Sequence, residues 1–153
     1  MNDFPSKSIG RYLQLAARAH KARTAEAIQD MGLFPGQEQV LLALLGEKEQ
    51  TVGQLATLLF VRPPTISKTL QRLAQQGLIV RKDDDSDARK SLVSMTKQGS
   101  KLASELAERL ALVEDRISDV LDQKDQRRLR KSLKKVTQSL LGAILPDEIE
   151  VEA

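Results

Sequence analysis

Apolar positions recur at helical spacing from Ser6 to about Asp30, where Ile9, Leu13, Ala16, Ala17, Thr24, Ala27 and Ile28 stand three and four residues apart. Gly32 and Phe34-Pro35-Gly36 break that pattern. A second helix is expected from near Pro35, a favourable first-turn residue, carrying Val40, Leu41, Leu44 and Leu45 to Gly46. A third begins at Thr51. Thr51-x-x-Gln54 fits a capping box, in which each side chain satisfies the other residue's orphan backbone N–H, and Leu55, Leu58 and Leu59 make the apolar face. Pro63-Pro64 opens a fourth helix, because first-turn N–H groups lack internal partners anyway, and Gly77 closes it as a left-handed cap. LIVRK and LVSMT then flank the polar DDDSDARK, which predicts a two-stranded hairpin with a long tip.

The remainder is helical again. Thr96 caps a helix with a near-heptad stripe of Leu102, Leu106, Leu110, Val113, Ile117 and Val120 or Leu121. Asp122 starts a last helix through Leu129, Leu133, Val136, Leu140 and Ile144, which Pro146 ends before the acidic DEIEVEA. The order helix, helix, helix, hairpin predicts a mostly α fold with a small β-hairpin: a winged helix-turn-helix flanked by N- and C-terminal dimerisation helices. The expected organisation is a single domain over 1–153. Its winged module spans 33–97, its dimerisation helices 6–31 and 98–145, and its acidic tail 146–153. The outer helices carry more apolar surface than one small module needs, so they are expected to pair with a second copy.

Composition narrows the function. Aromatics are 3% of 153 residues, with no Trp and one Tyr, leaving little for a base-stacking platform and arguing against single-stranded nucleic acid. The net charge of +3 is a mild hint of a polyanionic partner. With no cysteine, the chain has no disulfide, zinc–thiolate site or thiol redox sensor. One histidine, His20, leaves few routes to a metal site or a histidine-based catalytic group, so no metal, cofactor or enzymatic activity is expected. The N-terminus lacks the apolar core of a signal peptide. VLLALL at 40–45 is far short of the ~18 residues that suggest a membrane span, so a cytoplasmic, membrane-free protein is expected.

The fourth helix has two faces. At 100° per residue Ile66, Leu70 and Leu73 fall together, while Pro64, Thr65, Lys68, Gln71, Arg72 and Gln75 collect opposite them. Lys and Arg reach phosphates or guanine edges, and Thr and Gln read other base edges. No acidic residue occurs from Gly53 to Lys82, whereas Arg62, Lys68, Arg72, Arg81 and Lys82 are cationic. The bland alternative is an ordinary solvated face. In the hairpin loop, Asp87 bracing Arg89 would aim the guanidinium at a narrow minor groove, with Lys90 beside it. Charges that merely keep the loop soluble are the other reading.

LATLLFVRPPTISKTLQRLAQQGLIVRK, followed by Asp87-x-Arg89 and Met95-Thr96-x-x-Gly99, resembles the core of the MarR family of bacterial transcription regulators, over roughly residues 33–100. The resemblance implies a homodimer on a pseudo-palindromic double-stranded DNA operator, acting as a ligand-responsive repressor. It matches Pro64, Thr65, Ser67, Lys68 and Arg72 to the family's recognition-helix region, and makes Arg89 the wing arginine with Asp87 as its support. Arg62, Gln71 and Lys90 complete the expected DNA contacts. Met95 stands for the usual Leu, Ala88 for a frequent second Arg, and Phe34 for a common Thr cap. The family also implies a small aromatic-acid effector between the dimer helices and the winged module. His20, with Arg18 or Arg23, would line that site; a packing histidine is the alternative. A winged protein-interaction scaffold and a non-specific nucleoid-type DNA binder are the rival functions.

Overall fold

The computed structural model describes residues 7–83, 86 and 90–142. The chain divides into two compact units, Met1–Val113 and Glu114–Ala153. In the first unit α1 (Ile9–Ile28) is capped by Ser8, whose hydroxyl accepts the Arg11 N–H at 3.2 Å. The second helix, α2 (Gln37–Leu44), starts later than the expected Pro35. The cause is Gly36, whose φ of 91° is left-handed and interrupts any helix running through it.

A short strand, β1 (Gln50–Thr51), leads directly into α3 (Val52–Leu58). The capping box forms as expected: Thr51 Oγ1 accepts from the Gln54 N–H at 3.1 Å, and Gln54 Oε1 from the Thr51 N–H at 2.8 Å. At the far end of α3 the Val61 N–H reaches back to the Ala56 carbonyl at 3.1 Å and the Phe60 N–H to Thr57 at 3.3 Å. This paired closure needs a left-handed residue, and Phe60 supplies it at φ 53° although glycine is the usual choice.

Next come α4 (Pro63–Gln75), β2 (Ile79–Asp83) and β3 (Ser91–Met95). β2 and β3 pair antiparallel from Ile79↔Met95 to Asp83↔Ser91. The expected hairpin is extended by one strand: β1 pairs with β3 through Gln50↔Val93 and Thr51↔Leu92, giving the order β1-β3-β2. Two residues are too few to show an alternating pattern, so this edge strand carries no signal of its own.

Leu41, Leu44, Leu55, Ile66, Leu70, Leu73, Val93 and Leu106 are fully buried and form the heart of the core. Leu106 belongs to α5 (Lys97–Ser118), which also packs Leu102, Ala103 and Leu110 against the core. The stripe expected to dimerise is therefore divided. Its first half is absorbed by the winged unit, whereas Ile117 remains exposed and Val120 and Leu121 follow the helix end. Arg109 on α5 donates to the Ala27 carbonyl at 3.1 Å, to Glu105 at 2.7 Å and to the Asp30 carboxylate, tying α5 to the end of α1. The guanidinium's hydrogen bond holds the Asp30 carboxyl below the ordinary carboxylate range, helped by a backbone N–H.

In the second unit α6 (Gln123–Leu141) is capped by Asp122, whose carboxylate accepts the Asp125 N–H at 2.8 Å. The Gln126 amide donates to the Ser118 and Leu121 carbonyls at 3.1 and 3.0 Å, closing the connection from α5. Gly142, at φ 62°, caps the helix end. Ile144, Pro146 and the acidic tail lie outside the described residues. Among the described residues no helix is long and apolar enough to cross a membrane.

Candidate nucleic-acid interface

α4 is built so that one side is fixed and the other presented. Arg62 precedes it in extended backbone, and Pro63-Pro64 occupy the first turn, where a missing N–H costs nothing. Ile66, Leu70 and Leu73 are at most 2% exposed, so the helix cannot roll without exposing three large side chains. That fixes the outward direction of the remaining residues. Arg62, Pro64, Thr65, Lys68, Gln71, Arg72 and Gln75 are exposed, and Ser67 is half-buried at the margin. The structure thus brings together all of the helix residues that the pattern assigns to DNA.

The surrounding cations are not equivalent. Lys82 forms an ion pair with Glu49 at 3.2 Å, which reduces what it offers to a phosphate although it belongs to the acid-free stretch. Arg81 is exposed on β2, and Lys90 is exposed just before β3. Asp87 and Arg89 lie outside the described residues, so the brace between them has no geometry here. One neighbour of α4 was not legible in the sequence. The Arg72 guanidinium carbon lies over the Phe34 ring, 5.7 Å from its centroid. The two residues are far apart in the chain, and no local pattern joins them.

The helix is joined to its base by two locks. At its C-terminal end the Gln76 amide donates to the Gly32 carbonyl at 3.1 Å and accepts from the Gln37 amide at 2.7 Å. Gln37 is 1% exposed, and its remaining oxygen accepts the Phe34 N–H at 2.9 Å, so this buried amide is well satisfied. Just beyond, Gly77 turns the chain at φ 73°, and its carbonyl accepts the Thr96 hydroxyl at 2.7 Å. Thr96 Oγ1 in turn accepts the Gly99 N–H at 3.0 Å, so one hydroxyl caps α5 and anchors the end of the α4 turn.

A separate concavity of about 500 Å³ lies beside α1, lined among others by His20, Lys21, Thr24, Leu33, Pro35 and Glu38. His20 is exposed on its rim, whereas Arg18 and Arg23 do not line it. The α1 residues on this wall are His20, Lys21, Thr24, Ala25, Ile28 and Gln29, and Arg23 falls outside that stripe, paired with Glu26 at 2.7 Å. The cation that the cavity gains instead is Lys21. Thr24 Oγ1 is buried and has no hydrogen-bond partner among the described residues. The described residues contain no group of acids and His arranged to hold a metal ion.

A model of the MarR family matches residues 31–90, the segment that holds α2, α3, α4 and the start of the sheet. An HTH-type transcriptional regulator of Bacillus cereus (strain ATCC 10987) is 32% identical over 124 residues, covering 80% of this chain and 82% of that protein. The structure of the Staphylococcus aureus MepR–DNA complex superposes with a TM-score of 0.79 at 20% identity, over 86% of this chain and 98% of that one. The transcriptional repressor CouR, bound to a 23-mer DNA duplex, gives 0.78 at 25% identity, over 86% and 94%.

Proposed function

The chain belongs to the MarR family of transcription regulators, and from that premise we propose a homodimeric repressor that reads a pseudo-palindromic operator. The family and the relatives are regulators and not enzymes. One observation carries the DNA-reading role: the exposed side of α4, held by a fully buried opposite side, presents Thr65, Lys68, Gln71 and Arg72 in a stretch with no acidic residue. In this reading α4 enters the major groove. Thr65, Lys68 and Gln71 face base edges, and Arg62, Ser67 and Arg72 face the phosphates at either end. Pro64 brings the first turn close to the groove wall. Lys90 and, by resemblance, Arg89 supported by Asp87 belong to the wing and its minor-groove contact.

The homodimer is supported by the outer helices. Ile9 and Tyr12 on α1, Leu112 on α5, and Leu129, Leu133 and Leu140 on α6 are all exposed. Apolar residues at this density on three helices suit an obligate interface between copies. CouR, a repressor with the same fold, is bound to a DNA duplex, which supports double-stranded DNA as the partner. A dimer would place two copies of α4 in successive major grooves about one helical turn apart, and binding near a promoter would occlude polymerase.

The effector reading rests on the cavity beside α1. His20 and Lys21 offer donors to a carboxylate, Thr24 Oγ1 has an unmade hydrogen bond, and Ile28 and Leu33 supply apolar wall for a ring. The Glu38 carboxylate is engaged by the Gly36 N–H at 2.8 Å. A small aromatic acid suits this mix, with Arg18 and Arg23 contributing at most long-range charge.

Selection of bound fragments from the source genome, followed by footprinting, tests the whole reading. Two protected half-sites one helical turn apart support it. Even protection without sequence preference points to a nucleoid-type binder, and no binding at physiological salt points to an interaction scaffold.

A further inference from the structure

We infer that Phe34 is a positioning residue for DNA binding: its ring holds the Arg72 guanidinium in the direction from which it meets a phosphate. The inference rests on the reading of α4 as the DNA-facing helix and adds a residue from outside that helix. A guanidinium within about 6 Å of a ring centroid is attracted by the negative face of the π system, and arginine is the cation that most often uses it. Arg72 over Phe34 meets that distance at 5.7 Å. Among the described residues no carboxylate is paired with Arg72, so its charge stays available to a phosphate. Lys82, by contrast, is engaged by Glu49.

The burial of the ring separates this role from packing. Phe34 is 54% exposed in a chain whose core is built from aliphatic side chains, so it contributes little to that core. Its backbone, however, is fixed. The Phe34 N–H is bonded to the buried Gln37 side chain, and Gln37 is bonded to Gln76, which caps α4 four residues after Arg72. Ring and cation are thus referenced to the same frame. Arginine loses much rotamer freedom when it is immobilised, and a side chain already oriented before contact loses less of it on binding. A leucine at position 34 would keep the backbone bonds and remove the π face.

The experiment measures affinity and its salt dependence for a mixed-sequence duplex of about three helical turns, because a phosphate contact does not depend on sequence. The full-length proteins compared are wild type, Arg72→Ala, Phe34→Leu, Phe34→Met, Phe34→Trp and the double variant Phe34→Leu/Arg72→Ala. Phe34→Leu is expected to weaken binding about two- to fivefold with a shallower salt dependence, Phe34→Trp to restore wild-type behaviour, and the double variant to match Arg72→Ala. If Arg72→Ala weakens binding while Phe34→Leu behaves as wild type, or if the two losses simply add, Phe34 does not position Arg72. If Arg72→Ala itself changes nothing, the reading of that end of α4 as a phosphate contact fails, and the inference goes with it. Loss of folding in both Phe34→Leu and Phe34→Met would overturn it too, making Phe34 a packing residue.

Discussion

Gly99 and Leu78 meet backbone to backbone: a Cβ added at Gly99 would stand 1.9 Å from the Leu78 carbonyl oxygen and 2.9 Å from its carbon. The same Leu78 carbonyl accepts the Thr96 N–H at 3.0 Å, and Leu78 follows Gly77, whose carbonyl accepts the Thr96 hydroxyl. The first turn of α5 is thereby seated on the turn that ends α4. This explains why Thr96-x-x-Gly99 and Gly77-Leu78 occur together in one chain: the hydroxyl makes the joint and the missing side chain lets it close. Gly99→Ala is therefore expected to lower stability by about 3 kcal/mol, or to prevent folding, because neither backbone can yield to a methyl. Urea unfolding at fixed protein concentration measures it, and a wild-type midpoint would show that α5 does not approach so closely.

Phe60 gives the opposite expectation. Its left-handed backbone at φ 53° closes α3, and the side chain is exposed, so little packing opposes a change. Phe60→Gly should raise stability by about 0.5–1 kcal/mol, the difference between relieved left-handed strain and the extra chain entropy of glycine. Phe60→Ala keeps a Cβ in the same backbone and should gain nothing. Equal midpoints for the two variants would remove backbone strain as the cause.

The Asp30–Arg109 pair makes the joint between α1 and α5 sensitive to acid. The folded state holds the Asp30 carboxyl below its unfolded value, mainly through the Arg109 hydrogen bond. Its contribution is present above the ordinary aspartate value near ~3.9 and is lost as pH falls through the lowered folded value. Asp30→Asn should therefore be less stable than wild type at neutral pH and approach it in strong acid. Asp30's side chain is 64% exposed, so the effect is expected to be small. Parallel unfolding midpoints of the two proteins from neutral to acid pH would contradict it.

On DNA, the residues of α4 should separate into two kinds. Thr65→Ala and Lys68→Ala are expected to change which bases are preferred, at about 1–3 kcal/mol per lost base contact. Arg62→Ala should weaken binding evenly across sequences and lower the salt slope by about 0.9 for each phosphate contact removed. Arg89→Ala should weaken it more evenly than the base-reading variants, with some loss at A·T-rich flanks. Binding selections on each variant distinguish these, and a uniform loss for Lys68→Ala would move that residue to the phosphates.

Ligand and operator should oppose each other if the cavity beside α1 is an effector site. Residues Leu33, Pro35 and Gly36 line it and flank Phe34, so a ligand that shifts this segment disturbs the support of Arg72. Calorimetry with salicylate on wild type and His20→Ala, with and without operator, is the measurement. DNA and ligand should weaken each other by the same factor, since linkage between binding sites is reciprocal. Equal affinity in both proteins would remove His20, and equal affinity with and without DNA would remove the switch.

Much of this molecule was determined locally. The Thr51–Gln54 box, the Asp122 cap, the turn at Gly77 and the Ile66–Leu70–Leu73 face each complete their hydrogen bonds or periodicity within a few residues. Such features depend on chain stereochemistry and helix pitch, so a short window of sequence contains their whole cause. The tertiary structure decided the rest. Periodicity showed that Leu102, Leu106 and Leu110 share a face, but the folded chain decided that this face packs against the core of the winged unit. Lys82 was visibly a cation, but its neighbour Glu49 comes from beyond α3 and α4. β1 exists because β3 offers it an edge, and Arg72 stacks on Phe34 because Gln37 and Gln76 join two distant turns. Contacts of this kind arise only when the chain is closed on itself. An apolar stripe or an unpaired charge shows that a partner is required, and only the folded chain shows which residue it is.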